Sequence, residues 1–254
     1  MRFFFLVCLA LLSPLTMAQE PKYPNSIFLL AGQSNMAGRG SIPSQSTPSP
    51  NILQLALNKT WVEAHEPLHK EMDEGKVCGI GPGVPFANTI LAEDPSFGVI
   101  GLVPCAKGGT RLKQWARGSK LYDRLVERAN ASIQRGGKIQ ALLWFQGETD
   151  TKSTEDAQLY RTRLHKFFND LRSDLHFPDL PIFQVALASG YHADLIKTVR
   201  EAQLGLSLAN VKTIDAWGLP LEPDGLHLNT ESAVKTPIGF WCRKILAQVP
   251  GSNE

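Results

Sequence analysis

The chain has little net charge: its 254 residues carry 26 Lys and Arg against 24 Asp and Glu, a formal +2. No basic run is interleaved with aromatics, which excludes the backbone-tracking surface of a nucleic-acid binder. Beyond the amino terminus no apolar run is long enough for a membrane helix. Cysteine is scarce, at four residues, and the serine turn at Gly32-Gln33-Ser34-Asn35-Met36 lacks the second glycine of the G-x-S-x-G elbow. That absence, with Asp and His only three residues apart near the carboxyl end, counts against the commoner serine hydrolase fold.

What is present begins with a leader. Met1-Arg2, an apolar stretch from Phe3 to Leu12 and small residues up to Ala18 predict a signal peptide over 1–18 and a single mature domain over 19–254, secreted to the extracellular space or cell wall. Cleavage removes Cys8 and leaves Cys78, Cys105 and Cys242, an odd number for an oxidising compartment. One disulfide plus one buried thiol is the simplest arrangement; the pairing is open, with Cys78 and Cys105 preferred because both flank Gly-rich turns. Asn58-Lys59-Thr60 and Asn130-Ala131-Ser132 become glycosylation acceptors if the chain is secreted.

The body of the chain alternates. Ile27–Ala31, Phe97–Val103, Ile139–Trp144, Pro181–Leu187 and Val211–Asp215 read as five buried strands. Between them, Val84–Ala92, the face of Leu121, Leu125, Val126, Ala129 and Ile133, the face of Leu159, Leu164, Phe167, Phe168 and Leu171, and the face of Ile196, Val199 and Leu206 read as helices. Residues 42–50 form an exposed Pro/Ser loop, and Ile52–Leu55 a short strand of an insertion. Strands apolar on both faces and separated by helices indicate a parallel sheet covered on two sides, with its ligand site beyond the strands' carboxyl ends. Ser34, Gly108, Gln146 and the segment near Asp215 all follow strand ends.

A serine nucleophile needs a base, a group that orients the base, and donors for the developing oxyanion. Of six histidines only His227 sits in a tight polar turn with a carboxylate close by, in Asp224-Gly225-Leu226-His227; the same residues also suit a simple surface turn. Lys107-Gly108-Gly109-Thr110 and Gln146-Gly147-Glu148-Thr149-Asp150 offer backbone and side-chain donors, or plain helix-entry and capping turns.

Together these four motifs, in order and spanning nearly the whole mature chain, resemble the SGNH-hydrolase superfamily. They most resemble its carbohydrate esterase family 6, sialate O-acetylesterase-like branch, in the plant-type form. The resemblance implies an α/β fold: a three-layer α/β/α sandwich around a mainly parallel five-stranded sheet. It also implies a carboxylic ester hydrolase that removes O-acetyl groups from a carbohydrate, acting as a monomer, with no cofactor or metal and with no nucleic-acid or membrane partner after leader cleavage. Ser34 would be the nucleophile, His227 the base and Asp224 its orienting acid; Ser34, Gly108 and Gln146 would form the oxyanion hole. Gln146 departs from the Asn that many superfamily members use.

Two other readings compete. His65-Glu66-Pro67-Leu68-His69 matches H-E-x-x-H formally, but Pro67 impairs the helix that would align two metal-binding histidines. A carbohydrate-binding protein that kept the fold and lost the chemistry is the other. Trp61, Trp115 and Trp217 are candidates to stack on sugars or to serve as core, Trp144 is expected at a strand end, and Arg111 suits either a polar substrate or a surface ion pair.

Overall fold

A computed structural model describes residues 22–41 and 48–233. The leader over 1–18, most of the Pro/Ser loop and Cys242 lie outside the described residues. Strand β1 (Ser26–Gly32) is buried at all seven positions and sits at the centre of a sheet of order β3-β2-β4-β1-β5-β6-β7. The others are β2 (Ile52–Leu55), β3 (Trp61–Glu63), β4 (Ile100–Pro104), β5 (Lys138–Phe145), β6 (Ile182–Ala186) and β7 (Val211–Asp215). All neighbours pair in parallel except β3, which runs antiparallel to β2.

Among the described residues the sheet therefore has seven strands where five were expected. Ile52–Leu55, read as part of an insertion, adds directly to β4, and Trp61–Glu63 folds back along it as an edge strand. β4 also starts later than its apolar run suggests. Pro95–Phe97 makes a 3-10 turn capped by Asp94, whose carboxylate accepts from the Ser96 N–H at 2.9 Å, and the chain extends only from Ile100.

Among the described residues six α-helices lie between the strands: α1 (Ser34–Ala37), α2 (Gly83–Glu93), α3 (Lys120–Ser132), α4 (Thr154–Gln158), α5 (Tyr160–Asp174) and α6 (Ala193–Leu204). Side chains alternate across a strand, so Phe28 and Ala31 point to opposite faces, and Trp144 pairs with Ala31. Phe86 of α2 packs edge-on against Phe28 at 4.9 Å, while Phe167 of α5 lies 4.7 Å from Trp144, with Trp115 and Tyr122 against the same cluster. Helices thus cover both faces, giving three layers. No helix among the described residues is long and apolar enough to cross a membrane.

Two features fix the geometry at the carboxyl edge. Arg128 of α3 is buried and donates to the carbonyls of Leu55, Ala56 and Pro104, tying the end of β2 to the end of β4. Gly32 closes β1 at φ 132°, where a Cβ would lie 2.1 Å from the Phe145 carbonyl oxygen. Only glycine lets the two central strands approach this closely just before Ser34. Gly32→Ala is expected to destabilise the fold by about 3 kcal/mol or more, combining backbone strain with a backbone clash. Urea unfolding checks this, and a midpoint equal to that of the parent would refute it.

Candidate active site

The chain leaves β1 and turns at once into α1, so Ser34 stands in the first turn of a short helix, 5% exposed. Its N–H, in the helix turn whose donors have no intrahelical acceptor, has no acceptor among the described residues. His227 arrives from a loop closed by a bridge between Leu221 and Leu228 and by the Glu222 N–H donating to the His227 carbonyl at 2.7 Å. Its Nε2 is 2.9 Å from Ser34 Oγ. Its Nδ1 is 2.5 Å from Asp224 Oδ2, while Asp224 Oδ1 accepts the backbone N–H groups of Leu226 and His227.

Partial burial works against ionising Asp224, but the His227 and Leu226 N–H groups and the His227 ring outweigh it and hold its carboxyl down at about 2. An ionised carboxylate can only accept, so Nδ1 carries the proton and Nε2 presents a lone pair to the Ser34 hydroxyl. The structure thus brings together Ser34, His227 and Asp224 in the order that their expected roles require.

The other two expected oxyanion donors are differently placed. The Gly108 N–H donates at 2.9 Å to Asp73, a fully buried carboxylate also held by Arg39 at 2.6 Å. The Gln146 amide donates to Asp150 at 2.6 Å and to the Thr110 carbonyl at 2.9 Å, and its Oε1 accepts from Tyr160. Both groups brace the turns beside Ser34 and hold acceptors of their own, so the Ser34 N–H is the open donor of the three.

Sequence reasoning passed over Asn35, Glu148, Asp150 and Asp73. Asn35 Oδ1 accepts the Leu228 N–H at 3.0 Å and its Nδ2 reaches the Leu226 carbonyl at 3.5 Å, so one amide grips the chain on both sides of His227. The same Nδ2 donates to Glu148 at 2.5 Å, and Ser189 adds a bond to the Leu226 carbonyl. The signal was available in part, since a polar Asn directly after the serine in a buried turn needs partners. Burial pushes Glu148 up to about 7 against the lowering effect of Asn35, and Asp150 up to about 6 against the Gln146 and Leu112 donors.

Several other expectations resolve here. Cys78 and Cys105 are both free thiols, which corrects their preferred pairing; burial pushes each thiol up. His65 is exposed whereas His69 is buried, so the two rings of the H-E-x-x-H match occupy different environments. Trp115 and Trp144 are core, Trp61 is half-buried, and Trp217 is exposed with Arg200 over its ring. Arg111 pairs with Asp156 at 3.3 Å.

The serine turn and the Asp-His loop meet at the carboxyl edge of a mainly parallel sheet covered by helices on both faces. A family model described as carbohydrate esterase, sialic acid-specific acetylesterase matches residues 24–240, and the chain belongs to that family. It is 49% identical over 233 residues to a probable carbohydrate esterase of Arabidopsis thaliana, covering 85% of this chain and 89% of that protein. A solved structure of an Arabidopsis thaliana protein superposes with a TM-score of 0.84 at 47% identity, covering 89% of this chain and 99% of the other. NanS shares the fold at a TM-score of 0.71 and 18% identity, over 89% of this chain and 98% of that one.

The buried acids make stability depend on pH. A carboxyl raised in the folded state contributes stability that is complete below its unfolded value and is lost as pH rises through its folded value. For Glu148 that window runs from 4.5 to about 7. Unfolding free energy is expected to fall between pH 5 and 8, and Glu148→Gln, which keeps an acceptor for Asn35, should flatten that slope. Denaturant melts of both proteins at the two pH values test this; parallel slopes would count against it. Asn35→Ala should cost about 1–3 kcal/mol through its orphaned partners and speed exchange of the Leu228 amide, read by NMR.

Proposed function

We propose that the protein is a secreted serine esterase that removes O-acetyl groups from a carbohydrate through an acetyl-serine intermediate, acting as a monomer without metal or cofactor. The observation that carries this reading is the continuous relay from Asp224 Oδ2 to His227 Nδ1 at 2.5 Å and from His227 Nε2 to Ser34 Oγ at 2.9 Å. Membership of a carbohydrate esterase family supports the substrate class. Secretion rests on the leader-like first eighteen residues.

In the reaction, His227 Nε2 takes the Ser34 proton as Oγ attacks the acetyl carbonyl carbon. The ionised Asp224 stabilises the imidazolium, and the Ser34 N–H donates to the oxyanion. Collapse breaks the bond to the sugar oxygen, which takes the proton from His227. Water then gives a proton to His227 and attacks acetyl-Ser34; acetate leaves and Ser34 recovers its proton. Gly108 and Gln146 serve by holding their turns in place.

Acetate release from a panel of acetylated polysaccharides and monosaccharides tests the reading. Ser34→Ala should abolish release, and Asp224→Asn should lower kcat by about 10^4-fold, as when the orienting acid of a serine triad is removed. A serine-directed organophosphonate should label Ser34; an unlabelled protein that still binds acetylated sugar would instead be a carbohydrate-binding protein on the same fold. Release from no ester, or release independent of Ser34, would sink the esterase.

A further inference from the structure

The fold treats the two N-x-S/T tripeptides of this chain differently. Asn58-Lys59-Thr60 forms the tip of the hairpin between β2 and β3, and all three residues are exposed. The Lys59 N–H donates to the Ala56 carbonyl at 3.0 Å and the Ala56 N–H to the Thr60 carbonyl at 2.9 Å, with Lys59 at φ 64°. This is a tight hairpin loop whose last residue is left-handed. Within it, Asn58 Oδ1 accepts both the Thr60 N–H at 3.1 Å and the Thr60 hydroxyl at 2.7 Å. A backbone N–H can only donate, so the amide oxygen is fixed toward Thr60 and Nδ2 is turned from it. Nδ2 has no acceptor among the described residues.

Asn130-Ala131-Ser132 instead lies in the last turn of α3. Residues two apart on a helix do not face each other, and the Ser132 hydroxyl is fully buried, donating to the Ala129 carbonyl at 2.6 Å. The amide and hydroxyl that meet at Asn58 are therefore held apart at Asn130. The hairpin loop closes with bonds internal to residues 56–60, so it can form in a chain not yet folded, whereas the Asn130 tripeptide must be drawn out of α3. The two tripeptides are also neighbours in space: Lys59 pairs with Glu127, and Asn130 follows one turn later on the same face of α3. A bulky group on one crowds the other. Beside Asn58 the sheet has an open edge, since β3 pairs only with β2 among the described residues and Leu57 and Val62 are exposed apolar side chains. An edge with unpaired N–H and C=O groups is a template for pairing with another chain.

We propose that Asn58, and not Asn130, is the attachment site of an N-linked glycan, and that this glycan screens the open edge of β3 from a second copy of the chain. The step joins Asn58 Nδ2 to the anomeric carbon of an oligosaccharide carried on a lipid diphosphate. Nδ2 gives up a proton, the carbon–oxygen bond to the diphosphate breaks, and the lipid diphosphate leaves with the bonding pair. The modification rests on the reading of the chain as secreted; the choice between the two asparagines rests on the fold.

The test expresses the full-length chain in mammalian cells from its own leader and, in parallel, from an unrelated cleavable secretory leader in place of residues 1–18. Mass spectrometry of the exported protein should show a single glycan, and enzymatic release by a peptide N-glycosidase should leave Asp at position 58 in the peptide map. Asn58→Gln and Thr60→Ala should each lose the whole glycan mass, Thr60→Ser should recover it at least in part, and Asn130→Gln should keep it. A glycan that persists in Asn58→Gln overturns the proposal, as does an unmodified Asn58 in protein exported by the substitute leader. Modification behind the substitute leader, with the native chain retained in the cell, would sink the reading of secretion and uphold the site. For the screening role, folded Asn58→Gln, checked by thermal melts, should self-associate in sedimentation velocity at concentrations where the glycosylated parent is a monomer. Equal behaviour of the two overturns that role.

Discussion

One side-chain amide holds the site together. Asn35 follows Ser34 directly, yet it binds the backbone on both sides of His227, 193 residues further along at Leu228. A serine on a buried strand end and a histidine on a surface loop have no reason to remain within 3 Å of each other. The Asn35 clamp couples them: whatever fixes the serine turn also fixes the imidazole. Glu148 holds the clamp from the neighbouring strand end, so β1, β5 and the histidine loop share one buried polar junction.

The floor of the site is correspondingly rich in buried acid. Asp73, Glu148 and Asp150 are fully buried, but they are satisfied to different degrees. Asp73 has an arginine and a backbone N–H, and Asp150 has two hydrogen-bonding neighbours; Glu148 has Asn35 on one oxygen and, among the described residues, no partner on the other. The contrast explains why burial raises Glu148 so far, whereas the more exposed Asp224, ringed by donors, stays ionised beside the histidine. Two carboxyl groups close to Ser34 and His227 are thereby shifted in opposite directions by their surroundings.

Much of this was legible in the sequence where a signal is local. The central strands read clearly because residues such as Phe28 and Leu29 face opposite layers and both must be apolar. The Asp224–His227 pairing was legible as one of two readings of the turn, because three residues suffice to join the two side chains. The edge strands did not, since four residues at Ile52 and three at Trp61 carry too little pattern to be told from a loop. Nor could sequence show that Gln146 faces Asp150, or that Asp73 takes the Gly108 N–H from 35 residues away. A donor's availability depends on what the fold places opposite it. The free state of Cys78 and Cys105 follows the same logic, because shared proximity to Gly-rich turns does not bring two sulfurs together.

Arg128 gives the edge of the sheet a mechanical character. A short outer hairpin would ordinarily be the first part of such a sheet to peel away, because only one neighbour holds it. Here a single guanidinium grips the carbonyls at the ends of both β2 and β4. The outer strands therefore move as part of the same rigid plate as the centre. Loops that spring from them are carried with that plate, and the rim of the site on this side has a firm mounting.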